Sequence, residues 1–97
     1  MSRLLTEEDF APHVGKTFRP MGQHHVLTLA SIDRPRFARM EGLPRQPFTL
    51  IFTGPPGDVL PEGSYTLAVD DGPEFSMHIA PIHTVARDRQ DYQAVFG

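Results

Sequence analysis

The chain has 97 residues, no cysteine and a formal net charge of −3. A chain of this length forms one domain over residues 1–97, with roughly 65% of its unfolded surface buried, and it contains no apolar run near the roughly 20 residues of a membrane helix. The lack of cysteine excludes a disulfide framework, and the negative charge argues against binding to nucleic acid, which requires a basic face.

The N-terminal residues MSRLLTEEDF predict a short helix and no secretory signal. They lack the apolar stretch and cleavage site of a signal peptide, so we expect a cytoplasmic protein. Thr6 is the predicted N-cap, the acids that follow it favour the first helical turn, and Leu5 and Phe10 are placed to pack together across the helix start. Pro12 and Gly15 limit this helix to one or two turns.

A short strand is predicted next in GKTFRPM, followed by a longer one in HHVLTLASI. The inner face of the second strand is ambiguous, because Leu27 and Leu29 compete with Val26, Ala30 and Ile32 for it. A central or strongly curved strand shows such a pattern.

The second half of the chain shows apolar residues at every second position, which is the period of a half-buried strand. The predicted inward residues are Phe48, Leu50 and Phe52, then Tyr65, Leu67 and Val69, then Phe75, Met77 and Ile79, and finally Tyr92, Ala94 and Phe96. Four such strands supply one core. The pattern therefore predicts an all-β fold, a small five- or six-stranded antiparallel barrel or sandwich with a short N-terminal helix.

The loops between these strands carry two further expectations. In GPPGDVLPEG the apolar pair Val59 and Leu60 predicts a compact loop tied to the core. For the following hairpin, matching the inward faces needs a loop with an odd number of residues, and we expect about five, residues 70–74, with Val69 opposite Phe75.

Eight of the nine basic residues are arginines, and four of these lie close together between two predicted strands. The candidate partner-binding residues are Arg34, Arg36, Arg39 and Arg45. Arginine is enriched at protein interfaces and binds carboxylates with two hydrogen bonds, so this segment is a candidate contact surface; a solvated loop is the alternative. The terminal strand, residues 91–96, is a second candidate, since a strand at a sheet edge can pair with another chain.

The chain has five histidines, which are His13, His24, His25, His78 and His83. A metal site needs at least three converging ligands. Within a strand His24 and His25 point to opposite faces, and only His25 and His78 are placed to meet across strands. No serine stands in a G-x-S-x-G setting, so we predict no catalytic residue, no metal and no cofactor.

Several segments together indicate a family. The sequences PFTLIFTGP and LPEGSYTL, the pair Ala80-Pro81, the C-terminal YQAVF and the opening LTEEDFAPHVGKTF resemble a family of small bacterial proteins catalogued only as a domain of unknown function. The resemblance covers nearly the whole chain. Members are sometimes encoded beside phage-tail-like collar or fibre proteins, so the resemblance implies an accessory or assembly role.

Two functions are consistent with these observations. The first is a non-catalytic interaction or assembly module whose partner is another protein or a second copy of the chain, with no nucleic acid and no membrane. The second is a small ligand-binding or enzymatic barrel in which His25, His78 or His83 contacts a ligand at the barrel mouth. A pocket lined by converging histidines favours the second function, whereas a filled core with an exposed apolar or arginine patch favours the first.

Overall fold

The computed structural model describes residues 5–34 and 47–97, which form a closed antiparallel β-barrel with one short helix. The helix α1 spans Glu7–Phe10, and the strands are β1 (Thr17–Pro20), β2 (Leu27–Asp33), β3 (Phe48–Gly54), β4 (Gly63–Val69), β5 (Glu74–Ile82) and β6 (Gln90–Phe96). Around the barrel the order is β1-β2-β3-β6-β5-β4. The predicted all-β fold with six strands is confirmed. No helix in the described ranges is long and apolar enough to cross a membrane.

The inward faces predicted from the alternating pattern are confirmed in β3, β4, β5 and β6. Every predicted inward residue of these strands is buried except Tyr65, which is half-buried at the rim of the barrel. The Tyr65 hydroxyl donates a hydrogen bond of 2.6 Å to the carbonyl oxygen of Pro61, so its polar end stays at the surface. Apolar residues therefore fill the interior of the barrel, and the hydroxyl of Tyr65 lies outside it.

A β-bulge resolves the ambiguous phase of β2. Leu29 lies opposite Phe52 on β3, but Ser31 lies opposite Ile51, so the strand carries one extra residue between the two pairs. The extra residue, Ala30, is exposed. After it, Ile32 packs against the core on the same face as Leu29. Leu27 and Leu29 thus face inward before the bulge, and of the competing residues Val26, Ala30 and Ile32 only Ile32 does so, after it.

The loop between β4 and β5 has an odd number of residues, as predicted, but the two strands pair in a different register. The predicted pairing of Val69 with Phe75 is wrong: Leu67 lies opposite Phe75, a shift of two residues along β4. The loop is shorter than predicted, residues 70–72 in place of 70–74, because Asp71 adopts a left-handed backbone with φ of 58°. The Val69 N–H then donates to the carbonyl oxygen of Pro73 at 3.0 Å. Proline lacks an N–H but can accept this hydrogen bond through its carbonyl group.

The helix α1 closes one end of the barrel. Its start is fixed as predicted by Thr6, whose backbone N–H donates to the carboxylate of Asp9 at 2.8 Å. Phe10 is fully buried and lies with its ring centroid 4.6 Å from that of Phe75 and 5.4 Å from that of Phe96. A four-residue helix has little stability alone, so this aromatic contact is what holds α1 on the barrel.

The loop between β3 and β4 closes the opposite end. Leu60 is fully buried, and its backbone N–H donates a 2.9 Å hydrogen bond to the hydroxyl of Tyr92 on β6. Val59 is 44% exposed, so only one of the two predicted loop contacts reaches the core. The loop is therefore anchored to the barrel interior at a single residue.

We expect Tyr92→Phe to loosen this loop, because the buried Leu60 N–H loses its acceptor. An unsatisfied buried donor costs about 1–3 kcal/mol, and urea unfolding measures the loss. Tyr65→Phe is the matched control, since the hydroxyl that it removes is bonded at the exposed rim. Equal losses in the two variants would contradict a special role for the Tyr92 hydroxyl.

Candidate functional site

A cluster of polar side chains lies at the barrel end covered by the β3–β4 loop. We call His24, His25 and Asp58 the histidine–aspartate cluster. The two histidines belong to the connection between β1 and β2, after a turn at Gly22, and Asp58 follows Gly57 in the β3–β4 loop; both glycines have positive φ. The start of β2 and the end of β3 are antiparallel neighbours, so the two connections meet at this end.

The three side chains of the histidine–aspartate cluster converge on a small volume. Their ligand atoms all lie within 4.8 Å of one another. The rings of His24 and His25 stack with centroids 4.3 Å apart and an interplanar angle of 25°. Nε2 of His24 contacts Oδ2 of Asp58 in a short hydrogen bond, and Nε2 of His25 lies 3.2 Å from Oδ1 of Asp58. One carboxylate thus faces both imidazoles.

The burial of the histidine–aspartate cluster is uneven. The side chain of His25 is only 8% exposed, whereas those of His24 and Asp58 are 73% and 57% exposed. Neither ring nitrogen of His25 has a hydrogen-bond partner of good geometry in the part of the chain that the structure describes, and Nε2 only approaches Oδ1 of Asp58 at 3.2 Å. A buried polar group without any partner costs about 1–3 kcal/mol. The Asp58 carboxylate offsets part of this cost at Nε2, and a further group bound there would offset the rest.

The histidines also affect the acid in this cluster. The hydrogen bond with His24 lowers the pKa of the Asp58 carboxyl, and the charges of His24 and His25 and the polar contact with His25 act in the same direction, while desolvation opposes them. Asp58 is therefore a carboxylate at neutral pH. Two imidazoles and one carboxylate form a donor set suited to protons or to a metal cation.

The expectation that His24 and His25 point apart is wrong. Side chains alternate only within a strand, and β2 begins at Leu27, so both histidines precede it in a loop. The predicted approach of His25 to His78 does not occur either, because His78 points outward from β5 and its Nε2 lies 3.0 Å from a carboxylate oxygen of Glu62. His83 is exposed in the connection between β5 and β6 and does not join the cluster.

A shallow groove lies near the other end of the barrel and includes Arg34, the first of the four candidate arginines. We call it the arginine groove; its lining residues are Asp33, Arg34, Pro47, Phe48, Thr49, Val95, Phe96 and Gly97, around a volume of about 330 Å³. Arg34 forms an ion pair through Nη2 with Glu7 of α1, and this hydrogen bond and the charge of Glu7 raise the pKa of Arg34. The other candidates, Arg36, Arg39 and Arg45, lie outside the described residues.

The second candidate contact, an edge at the terminal strand, is wrong. Barrel closure places β6 between two neighbours, so it pairs with β3 from Gln90 to Phe96 and with β5 at residues 91–93. A closed barrel removes sheet edges, and closure depends on pairing between distant strands that alternation does not reveal. Among the described strands, β6 therefore has a neighbour on each side rather than lying at a sheet edge.

Comparison with known proteins gives one match. A family model described as "Domain of unknown function (DUF6916)" matches residues 5–96, which confirms the resemblance to a family of this kind. No curated protein and no solved structure matches the chain.

Proposed function

Starting from the finding that the chain belongs to the DUF6916 family, a domain of unknown function, we propose that it is a non-catalytic interaction or assembly module. It binds another protein, or a second copy of itself, through the arginine groove. The observation that carries this proposal is an exposed apolar side chain, that of Val95, next to an exposed guanidinium, that of Arg34.

The filled interior of the barrel favours an interaction module rather than a protein with an internal ligand site. All buried residues in the described ranges that form the core are hydrophobic, and both barrel ends are closed, one by Phe10 and the other by Leu60. Ligand-binding barrels need an open mouth and a few converging polar groups inside. In the described part of this barrel, the buried hydroxyl of Tyr92 is already bonded to the Leu60 N–H, and no set of converging polar groups lies among the core residues.

The composition of the arginine groove suits a protein partner. Val95 projects outward from β6 with 66% of its surface exposed, beside Thr49 on β3. Arg34 is 63% exposed, and its contact with Glu7 uses one nitrogen of a guanidinium that has five N–H donors. An apolar contact next to remaining arginine donors is typical of interface centres, where arginine is enriched and other charged residues are depleted.

The resemblance to the family suggests which partner to test first. It implies a phage-tail-like collar or fibre protein, and we propose that assembly with it takes place in the bacterial cytoplasm. Arg36, Arg39 and Arg45 follow Arg34 in the chain with Glu41 as the one intervening acid, so the partner surface is expected to be acidic.

We expect Val95→Asp to abolish the contact, because it places a carboxylate in the apolar part of the groove. The measurement is light scattering of the purified protein alone, for self-association, and co-purification with an encoded collar or fibre protein. Val85→Asp is the matched control, since Val85 is 87% exposed in the connection between β5 and β6, away from the groove.

Salt and a second variant test the arginine contribution in the same experiment. The complex should weaken as salt rises, since the screening length falls to about 3 Å at 1 M, and it should weaken when Arg34, Arg36 and Arg39 are changed to alanine. A protein that is monomeric in all conditions and retains its partner after both Val95→Asp and the arginine changes would refute the proposal.

A second candidate function rests on the histidine–aspartate cluster. The alternative of a ligand-binding or enzymatic barrel required histidines at the mouth, and His25 is placed there with Asp58 and His24. Because the interior is filled, a ligand at this position would contact these three side chains at the end of the barrel rather than bind inside it.

A further inference from the structure

We propose that His24, His25 and Asp58 bind one divalent transition-metal ion, for which Zn²⁺ is the test case. Two imidazole nitrogens and one carboxylate oxygen are ligands that Zn²⁺ takes in proteins, with a fourth position left for water. Among the described residues, these three side chains form the one group of three or more suitable donors. The site lies at the opposite end of the barrel from the arginine groove, so it is independent of the proposed interaction.

The distances fit a metal ion after small side-chain movements. Ligand atoms in a tetrahedral zinc site lie about 3.4 Å apart, because the bonds are about 2.0–2.1 Å long. Here all three donors lie within 4.8 Å of one another, and the separation between His25 and Asp58 is already 3.2 Å. His24 and Asp58 are mostly exposed, and Asp58 follows a glycine, so these two ligands have room to close around an ion.

The buried imidazole of His25 is the second, independent observation. Its Nε2 faces Oδ1 of Asp58 without forming a hydrogen bond, and its side chain is 92% removed from solvent. A cation between Nε2 and the carboxylate satisfies both atoms, whereas no protein group in the described ranges does so for the nitrogen. His25 then acts as the fixed ligand, and the exposed His24 and Asp58 complete the site.

Metal binding would join two separate segments of the chain. His24 and His25 precede β2, and Asp58 lies in the loop anchored by Leu60, so one ion connects the β1–β2 connection to the β3–β4 loop. This replaces the expectation of a metal-free protein, which assumed that adjacent histidines diverge. The water position of the ion faces solvent, since two of the three ligands are exposed.

The test is calorimetric titration of the full chain with ZnCl₂ after removal of metal by EDTA and desalting, together with the visible absorption of Co²⁺ as a probe of coordination. We expect one Zn²⁺ per chain. His24→Ala and Asp58→Asn should each weaken binding by more than about 100-fold, because even outer-shell partners of metal ligands contribute roughly 10–100-fold. Both changes are at exposed side chains, so the variants should fold.

His78→Ala is the matched control. It also removes an exposed histidine beside a carboxylate, but that pair has only two donors and lies outside the cluster. It should bind Zn²⁺ as the parent does. No zinc binding by the parent, or binding that survives His24→Ala and Asp58→Asn, would overturn the proposal. Equal weakening by His78→Ala would also overturn it, since that result indicates general surface binding by histidines.

Discussion

Phe52→Ala is expected to leave the domain largely unfolded. Phe52 is fully buried near the middle of the barrel, and its ring meets that of Phe18 edge to face with centroids 5.2 Å apart. Truncation of a buried phenylalanine costs about 3–5 kcal/mol, because it removes apolar contacts and leaves a cavity that neighbours fill only in part. A small domain has only about 5–15 kcal/mol of total stability, so most of it is lost.

Urea unfolding followed by far-ultraviolet circular dichroism measures this effect. Phe52→Leu is the conservative variant, which keeps most of the volume and should lose much less. Val85→Ala is the surface control and should unfold at the same urea concentration as the parent, because Val85 is 87% exposed. If Phe52→Ala unfolds at the same concentration as well, the assignment of Phe52 to the barrel interior is wrong.

Phe10→Ala is expected to lower the free energy of unfolding by a similar amount, with its main effect at the end of the barrel that α1 covers. Phe10 is the buried residue of α1, and its ring lies within 5.9 Å, centroid to centroid, of the rings of Phe48, Phe75 and Phe96. Loss of the ring removes the contact that holds the helix, again at about 3–5 kcal/mol. The ion pair between Glu7 and Arg34 should separate with the helix.

Hydrogen exchange distinguishes this local effect from general destabilisation. In Phe10→Ala the amides of α1 should exchange rapidly. Amides at the centre of β3 should exchange only through global unfolding, so their protection falls only as far as the global stability of the variant does. Glu8→Ala is the control on the same helix, because Glu8 is exposed. A helix that stays protected in Phe10→Ala would mean that Phe10 does not anchor it.

The alternating pattern predicts much of this fold because it depends only on local geometry. Each residue of β3 and β6 faces inward or outward according to its position in the strand, so Phe48, Phe52 and Tyr92 could be placed correctly from sequence. The helix start could be predicted for the same reason, since Thr6 and Asp9 are three residues apart and interact directly.

Other features depend on contacts between distant residues or on a single unusual dihedral angle. The register of the β4–β5 hairpin follows from the left-handed conformation of Asp71, which a sequence permits but does not require. The approach of Asp58 to His25 depends on the pairing of β2 with β3 and on where β2 begins. For the same reason the sequence does not predict the histidine–aspartate cluster: its pattern places both histidines in a strand, but β2 begins at Leu27, three residues after His24.

The pairing order of the barrel also constrains how the domain acquires its structure during synthesis. Phe48 pairs with Phe96, about half the chain length later, and Phe18 pairs with Val69 across a similar distance. Folds dominated by such long-range pairs fold slowly, because the cost of closing large loops precedes the gain from contacts. On the ribosome, β3 can pair with β2 at once but has no second neighbour until β6 has emerged from the exit tunnel. Its apolar face is then open to misassociation or to a chaperone for the whole of that interval.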